Sequence, residues 1–281
     1  MIEVANSPEF RDISPKQIVP ILADRRKYVA SESTFYRVLR AEGQQKHRET
    51  SRRPMVRPHA QMATAPGQVW SWDITYLQAG VRGTFYYLYL FVDIWSRKIV
   101  GWEVHNEESM DHAAVLVRRL ARKEGIDADK LVLHSDNGGP MKGATMKATL
   151  DALGITASYS RPHVSDDNPY SEALFRTLKY RPEFPRKAFD DITQARAWVA
   201  AFVDWYNLEH RHSAINYVTP EQRYSGGHLK LLKGRADVYA AARQLHPNRW
   251  TGPTRSWTPL KEVHLNPDRA NTTIHGPRRA A

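Results

Sequence analysis

The chain has 281 residues, no cysteine, and 41 Lys and Arg against 30 Asp and Glu, a net charge of +11. Disulfides, cysteine-ligated zinc and iron–sulfur clusters are excluded, and a hydrophobic content of 41% excludes a chain disordered by composition. The surplus of positive charge points to a polyanion such as nucleic acid, with a generally basic soluble protein as the alternative. There is no signal-peptide pattern and no apolar run long enough to span a bilayer, so a soluble protein in a reducing compartment is expected.

Residues 1–43 form the first segment. Ser14-Pro15 signals a helix start, and SESTFYRVLRAEG (31–43) carries Phe35, Val38 and Leu39 at i, i+3, i+4 before Gly43. Two short helices with a tight connection suit a helix-turn-helix, with Ser33, Thr34, Tyr36, Arg37 and Arg40 towards DNA. A plain helical hairpin with a solvated basic face is the alternative. Residues 44–66 lack periodicity and hold Lys46, Arg48, Arg52, Arg53 and Arg57 between prolines. They read as a basic linker along a phosphate backbone.

From Val69 the pattern changes. VWSWDITYL (69–77), FYYLYLFVDIW (85–95) and IVGWEVH (99–105) predict a three-stranded meander. A helix over 108–125, a strand over 131–136, a helix over 142–153, a strand over 155–160 and a helix over 168–181 follow. This order predicts an α/β fold, a mixed sheet with flanking helices. A further helix over about 191–209 presents Trp198, Phe202, Trp205 and Tyr206 to the core. Residues 227–281 read as a basic tail.

Three carboxylates stand out. Asp73 interrupts an apolar strand, where an unpaired charge is costly. Asp136 ends the fourth strand, where ligands of α/β sheets collect. Glu172 opens the last core helix on a face shared with Asn168, Arg176 and Lys179. Each has a plain reading: Asp73 paired with a local backbone group, Asp136 a turn former, Glu172 ion-paired with Arg176. Meeting at one point they would repel, and hard divalent cations resolve such repulsion. Asp93, beside a tight turn, is expected to bind the backbone at Ser96–Arg97. His134 reads as a strand residue. His210 and His212 lack the i, i+4 spacing of helical metal ligands, and no nucleotide-binding P-loop occurs.

Asp136 and Glu172 are separated by 35 residues. With that spacing, WSWDITYL (70–77), VDIWSRKIVGW (92–102), LHSDNG (133–138), Asp167-Asn168 followed by SEALFRTLK (171–179), and WYNLEHRHSAINYVTP (205–220) resemble the DDE transposases of the retroviral-integrase superfamily. The likeness is greatest to the insertion-sequence-three type, in its second-frame, integrase-like catalytic subunit. It implies a ribonuclease-H-like core over 67–226, behind the all-α helix-turn-helix segment. It implies that Asp73, Asp136 and Glu172 are both the catalytic triad and the ligands of two Mg²⁺ ions, with Mn²⁺ as a substitute and neither zinc nor nucleotide. The implied reaction nicks DNA at insertion-sequence ends and joins the freed 3′-OH to target DNA. Lys179 matches a position contacting terminal DNA, Asn168 one flanking the site, and Tyr206, Asn207, Arg211 and His212 a signature after the core. Arg176, Arg211, Arg37, Arg40, Arg52 and Arg53 join Lys179 and Asn168 as expected DNA contacts. The implied partners are terminal repeats, target DNA, further copies of the chain, and an upstream first-frame helix-turn-helix and coiled-coil subunit or fusion. The implied setting is the bacterial cytoplasm, at the nucleoid. A same-fold nuclease without strand transfer and an inactive DNA-binding regulator are the rival readings. Asp166 or Asp167 is the expected cap of the Glu172 helix.

Overall fold

The computed structural model describes residues 1–11, 13–44, 60–125, 130–138, 143–161 and 167–267. The chain divides into two units, residues 1–55 and 56–281. Arg52 and Arg53, with most of the expected linker, lie outside the described residues.

The first unit holds α1 (Ile2–Ala5), α2 (Pro15–Asp24) and α3 (Glu32–Ala41). Ser31 caps α3, its Oγ accepting from the Thr34 N–H at 3.3 Å. Ala5, Phe10, Ile18, Leu22, Ala30 and Phe35 form a small core, and Arg37 and Arg40 lie on the exposed side of α3. The expected tight connection is not there: Arg25–Ser31 is seven residues long, against three or four in a helix-turn-helix. Ala30 fills part of it, buried in the small core.

The second unit is built on a five-stranded sheet of β2 (Val69–Gln78), β3 (Phe85–Asp93), β4 (Ile99–His105), β5 (Val132–Ser135) and β6 (Thr156–Tyr159), in the order β4-β3-β2-β5-β6. β4, β3 and β2 are antiparallel; β2, β5 and β6 are parallel. This mixed sheet is the ribonuclease-H-like arrangement. Helices α4 (Met110–Lys123) and α5 (Ala144–Leu153) cover one face; α6 (Pro169–Tyr180) and α7 (Ile192–Leu208) cover the other.

The two-residue period of a strand sorts the side chains between these faces. Trp70 and Trp72 join Tyr89, Phe91 and Leu116 on the α4–α5 side, and Trp72 stacks on Phe91 with centroids 5.1 Å apart. Leu77, Leu88, Leu90 and Val92 meet Leu174, Leu178 and Phe202 on the α6–α7 side. Asp73 pairs across β2–β3 with Leu90, so it shares the α6–α7 side.

Gly101 lets α4 approach β4. A Cβ there would lie 2.2 Å from Leu120 Cδ1, and Leu120 is buried in the core. Gly101→Ala is expected to destabilise the fold by about 1–3 kcal/mol through overpacking, read as a lower urea midpoint at unchanged slope.

Asp93 behaves as expected. Its Oδ1 accepts from the Ser96 N–H at 2.8 Å, and its Oδ2 accepts from the Gly67 N–H at 2.8 Å. Asn207 is spent on packing: it donates to the Ile99 carbonyl at 3.0 Å and accepts from the Ile99 N–H at 2.9 Å, tying α7 to β4. Tyr206 beside it is buried.

Two boundaries read from the sequence are corrected. The end of the linker contains β1 (Gln61–Ala63), which pairs antiparallel with β7 (Val263–Leu265). The tail contains a long helix: after α8 (Pro220–Tyr224) comes α9 (His228–Leu245), 18 residues long. Three-residue strands are too short to show a period. Gly234 and four basic side chains within α9 blur its apolar stripe, and only His228 and Leu232 are buried.

Candidate active site

β2 and β5 run parallel, Ser71 opposite His134. Carried two residues further, that register brings Asp73 level with Asp136, the first residue after β5. Neighbouring strands lie about 4.8 Å apart, so the two aspartates are close. Asp136 Oδ1 accepts from the Gly138 N–H at 2.9 Å, and Asp73 Oδ1 accepts from the Ile74 N–H at 2.8 Å.

Helix α6 crosses the same edge. Ser71 Oγ and Ser171 Oγ are 2.8 Å apart. The Ser71 hydroxyl also donates to Asn168 Oδ1, and Asn168 Nδ2 donates to the Trp72 carbonyl at 3.3 Å. These bonds fasten the start of α6 to the two residues before Asp73. Glu172, next after Ser171, stands at the exposed rim, with Arg176 and Lys179 exposed further along, while Leu174 and Leu178 are buried.

Electrostatics joins the three carboxylates. Burial pushes the Asp73 carboxyl up to about 7; the charge of Asp136, then those of Glu172 and Glu108, act in the same direction, and the Ile74 N–H opposes them. Glu108 was not singled out by its sequence. It precedes Ser109, the N-cap of α4, and accepts from the Tyr76 hydroxyl at 3.2 Å. Only the return of β4 to the sheet brings it towards Asp73.

Two expectations need correction. Asn168 does not share the exposed face of Glu172. It is the N-cap of α6, outside the helical geometry, 3% exposed and bonded to β2, so it positions α6 rather than meeting DNA. Asp167 does not cap α6: both its carboxylate oxygens accept from Arg161. Asp166 lies outside the described residues. Among the described residues, no group of three His, Cys, Asp or Glu is drawn together as a ready-made metal cluster.

His134 is a buried strand residue. Its Nε2 lies 2.8 Å from the Asp167 carbonyl and its Nδ1 3.0 Å from Ser158 Oγ. Burial lowers its basicity. Arg211 is exposed after α7, 3.5 Å from the Tyr217 carbonyl. Asn168→Ala removes one acceptor of the Ser71 hydroxyl and one donor to the Trp72 carbonyl. A loss of about 1–3 kcal/mol is expected, measured by urea unfolding.

Comparison with known proteins bears on this arrangement. Two family models, each described as an integrase core domain, match residues 63–165 and 153–220, together more than half of the chain without a gap. The chain carries an integrase core domain over residues 63–220. It is 30% identical over 160 residues to a transposase for insertion sequence element IS904 of Lactococcus lactis, across 57% of this chain and 62% of that protein. It is also 30% identical over 162 residues to transposase InsF for insertion sequence IS3A of Escherichia coli K12, across 57% and 54%. The chain thus spans about half to three-fifths of those relatives' length. Among solved structures, the catalytic core domain of BIV integrase aligns with a TM-score of 0.44 at 22% identity, over 59% of this chain and 99% of that one. A simian T-cell lymphotropic virus intasome chain, in complex with PP2A regulatory subunit B56 gamma, aligns with a TM-score of 0.48 at 16% identity, over 78% and 73%. Among the described residues, no helix is long and apolar enough to cross a membrane.

Proposed function

We propose that this chain cuts DNA at insertion-sequence ends and joins the freed 3′-OH to target DNA, with Asp73, Asp136 and Glu172 as its catalytic carboxylates. The observation that carries the reading is the convergence at one sheet edge. Asp73 and Asp136 stand level on neighbouring parallel strands, the start of α6 is fastened to β2 beside them, and the charges of Asp136 and Glu172 both raise the Asp73 carboxyl.

The donor set fits a hard divalent cation: three carboxylates, no soft ligand, and mutual repulsion that a cation would relieve. Asp73, Asp136 and Glu172 would hold it, as Mg²⁺ with Mn²⁺ as substitute, two ions per site. When bound, such ions supply activation of the attacking oxygen and stabilisation of the leaving one. The chain's own residues do the rest. Asn168 and Ser171 hold α6, and so Glu172, against β2. Lys179 and Arg176 offer positive charge to phosphates along the exposed face of α6. Arg37, Arg40 and Arg211 extend that charge elsewhere on the chain. Water attacks a phosphodiester at the element's end and leaves a 3′-OH. That hydroxyl then attacks a target phosphodiester, one bond forming as another breaks, with no nucleotide consumed.

An upstream first-frame subunit or fusion is the further partner we assign to the chain. Several copies acting on paired DNA ends, at the nucleoid in the bacterial cytoplasm, complete the proposal. Residues 1–43 serve it as a DNA-binding segment. The test is strand transfer on an oligonucleotide carrying the element's own end, with Mg²⁺ or Mn²⁺ and with the upstream subunit added. Joined product supports the proposal. Cleavage without joining replaces it with a nuclease, and binding without chemistry replaces it with a regulator.

A further inference from the structure

The exposed face of α6 does not end at Glu172. Residues 172, 176 and 180 are spaced i, i+4, i+8, one side of a helix at 100° per residue. Beyond Glu172 that side opens into a groove of about 470 Å³, lined by Ala173, Arg176, Thr177, Tyr180, Arg181, Pro182, Glu183 and Trp205. Its size suits one small ligand rather than a duplex.

The groove has a defined chemistry. Arg181 lies flat over the Trp205 ring, 3.6 Å from its centroid, so that ring is already covered. The Arg181 Nε donates to Glu183 at 2.7 Å, yet its Nη1 is buried with no hydrogen-bond partner. Tyr180 is the open ring, 82% exposed at the groove's edge. The Arg176 guanidinium stands 5.9 Å from the Tyr180 centroid. An exposed aromatic ring beside a guanidinium group is an arrangement that stacks an unpaired base and neutralises its phosphate. A peptide would gain little from two arginines unless it were acidic, whereas a DNA strand leaving the carboxylates along α6 carries a phosphate at every step.

We infer that this groove binds one unpaired nucleotide of the DNA substrate, its base on Tyr180 and its phosphate on Arg176. The inference rests on the proposed DNA reaction. Tyr180 lies eight residues beyond Glu172, ~12 Å along the helix axis. That is about three to four nucleotide steps at the duplex rise of ~3.4 Å per strand. The groove therefore receives a strand that has frayed from its partner a few nucleotides from the reacting phosphate.

The test compares two probes with the full chain: a blunt duplex, and the same duplex with a short single-stranded overhang carrying 2-aminopurine. Affinity is read by fluorescence anisotropy and stacking by quenching of 2-aminopurine. Wild type is expected to bind the overhang probe about tenfold more tightly than the blunt one and to quench it. Tyr180→Ala is expected to collapse that ratio towards one and to abolish the quench; Tyr180→Phe, which keeps the ring, is expected to retain both. Arg176→Ala is expected to lower the ratio while retaining part of the quench. Equal binding of both probes by wild type, or a ratio and quench that survive Tyr180→Ala, overturns the subsite alone. Failure of wild type to bind either probe overturns the subsite together with the DNA reading beneath it.

Discussion

Asp73→Asn, Asp136→Asn and Glu172→Gln are each expected to reduce both DNA cleavage and strand transfer by ~10³-fold or more. At 1.36 kcal/mol per tenfold, that is ~4 kcal/mol of lost transition-state stabilisation. Each substitution keeps the side chain's shape and removes its charge. Asn at 73 can still accept from the Ile74 N–H, and Asn at 136 from the Gly138 N–H, so the local bonds at 2.8 Å and 2.9 Å survive. Glu172 is exposed and Gln is well tolerated in a helix, so the fold is retained. Circular dichroism establishes folding, and a gel assay of nicked and joined oligonucleotides reads the chemistry. Losses that are non-additive in double variants mark residues acting as one unit. A variant with wild-type turnover removes that residue from the proposed triad.

Asp73→Asn is also expected to stabilise the protein in the absence of divalent cations, and only at higher pH. The Asp73 carboxyl is raised to about 7 in the folded chain, against ~3.9 for an ordinary aspartate in an unfolded one. Between those values the folded state holds a proton that the unfolded state has released. Stability therefore falls as pH rises through this window, and the full cost is present above pH ~7. Three units set an upper bound of ~4 kcal/mol; relaxation around the charge leaves an expected gain of ~1–3 kcal/mol. For a unit of this size that is several degrees in Tm. Thermal unfolding in EDTA should show wild type and variant coinciding near pH 4 and separating by pH 8. Added Mg²⁺ should raise the wild-type Tm and narrow the gap, because an ion that binds only the folded state stabilises it. A variant that is less stable at pH 8, or a gap independent of pH, would remove the burial and charge crowding proposed for Asp73. The two results together describe a common trade: the arrangement that serves the chemistry is the one the fold would shed.

Much of the core was legible along the chain because its signals are local. Alternation in VWSWDITYL marks a strand with two unlike faces. Trp70 and Trp72 answer to one face, and Ser71 and Asp73 to the other. The Leu174 and Leu178 stripe of α6 is equally local. Asn168 shows where that reasoning stops. Helical angles extended one residue too far place it beside Glu172, whereas as the N-cap it turns inward and is held by Ser71, 97 residues away in sequence. Glu108 gave no signal, since a carboxylate before a helix cap is ordinary until a folded sheet sets it near Asp73.

By itself, then, the sequence determined the elements of the sheet core, the presence and spacing of Asp73, Asp136 and Glu172, the exclusion of cysteine chemistry, and the positive charge suited to a polyanion. The reason is that periodicity, capping residues and net charge are properties of neighbouring residues or of composition. Only the tertiary structure decided that β1 pairs with β7 across some 200 residues, that α9 extends from the core, and that Asn168 is a fastener. It alone decided that Arg181 covers Trp205 and leaves Tyr180 open. Pairing of short strands, burial of a polar side chain and the lining of a groove each depend on partners remote in the chain, whose contribution no local pattern encodes.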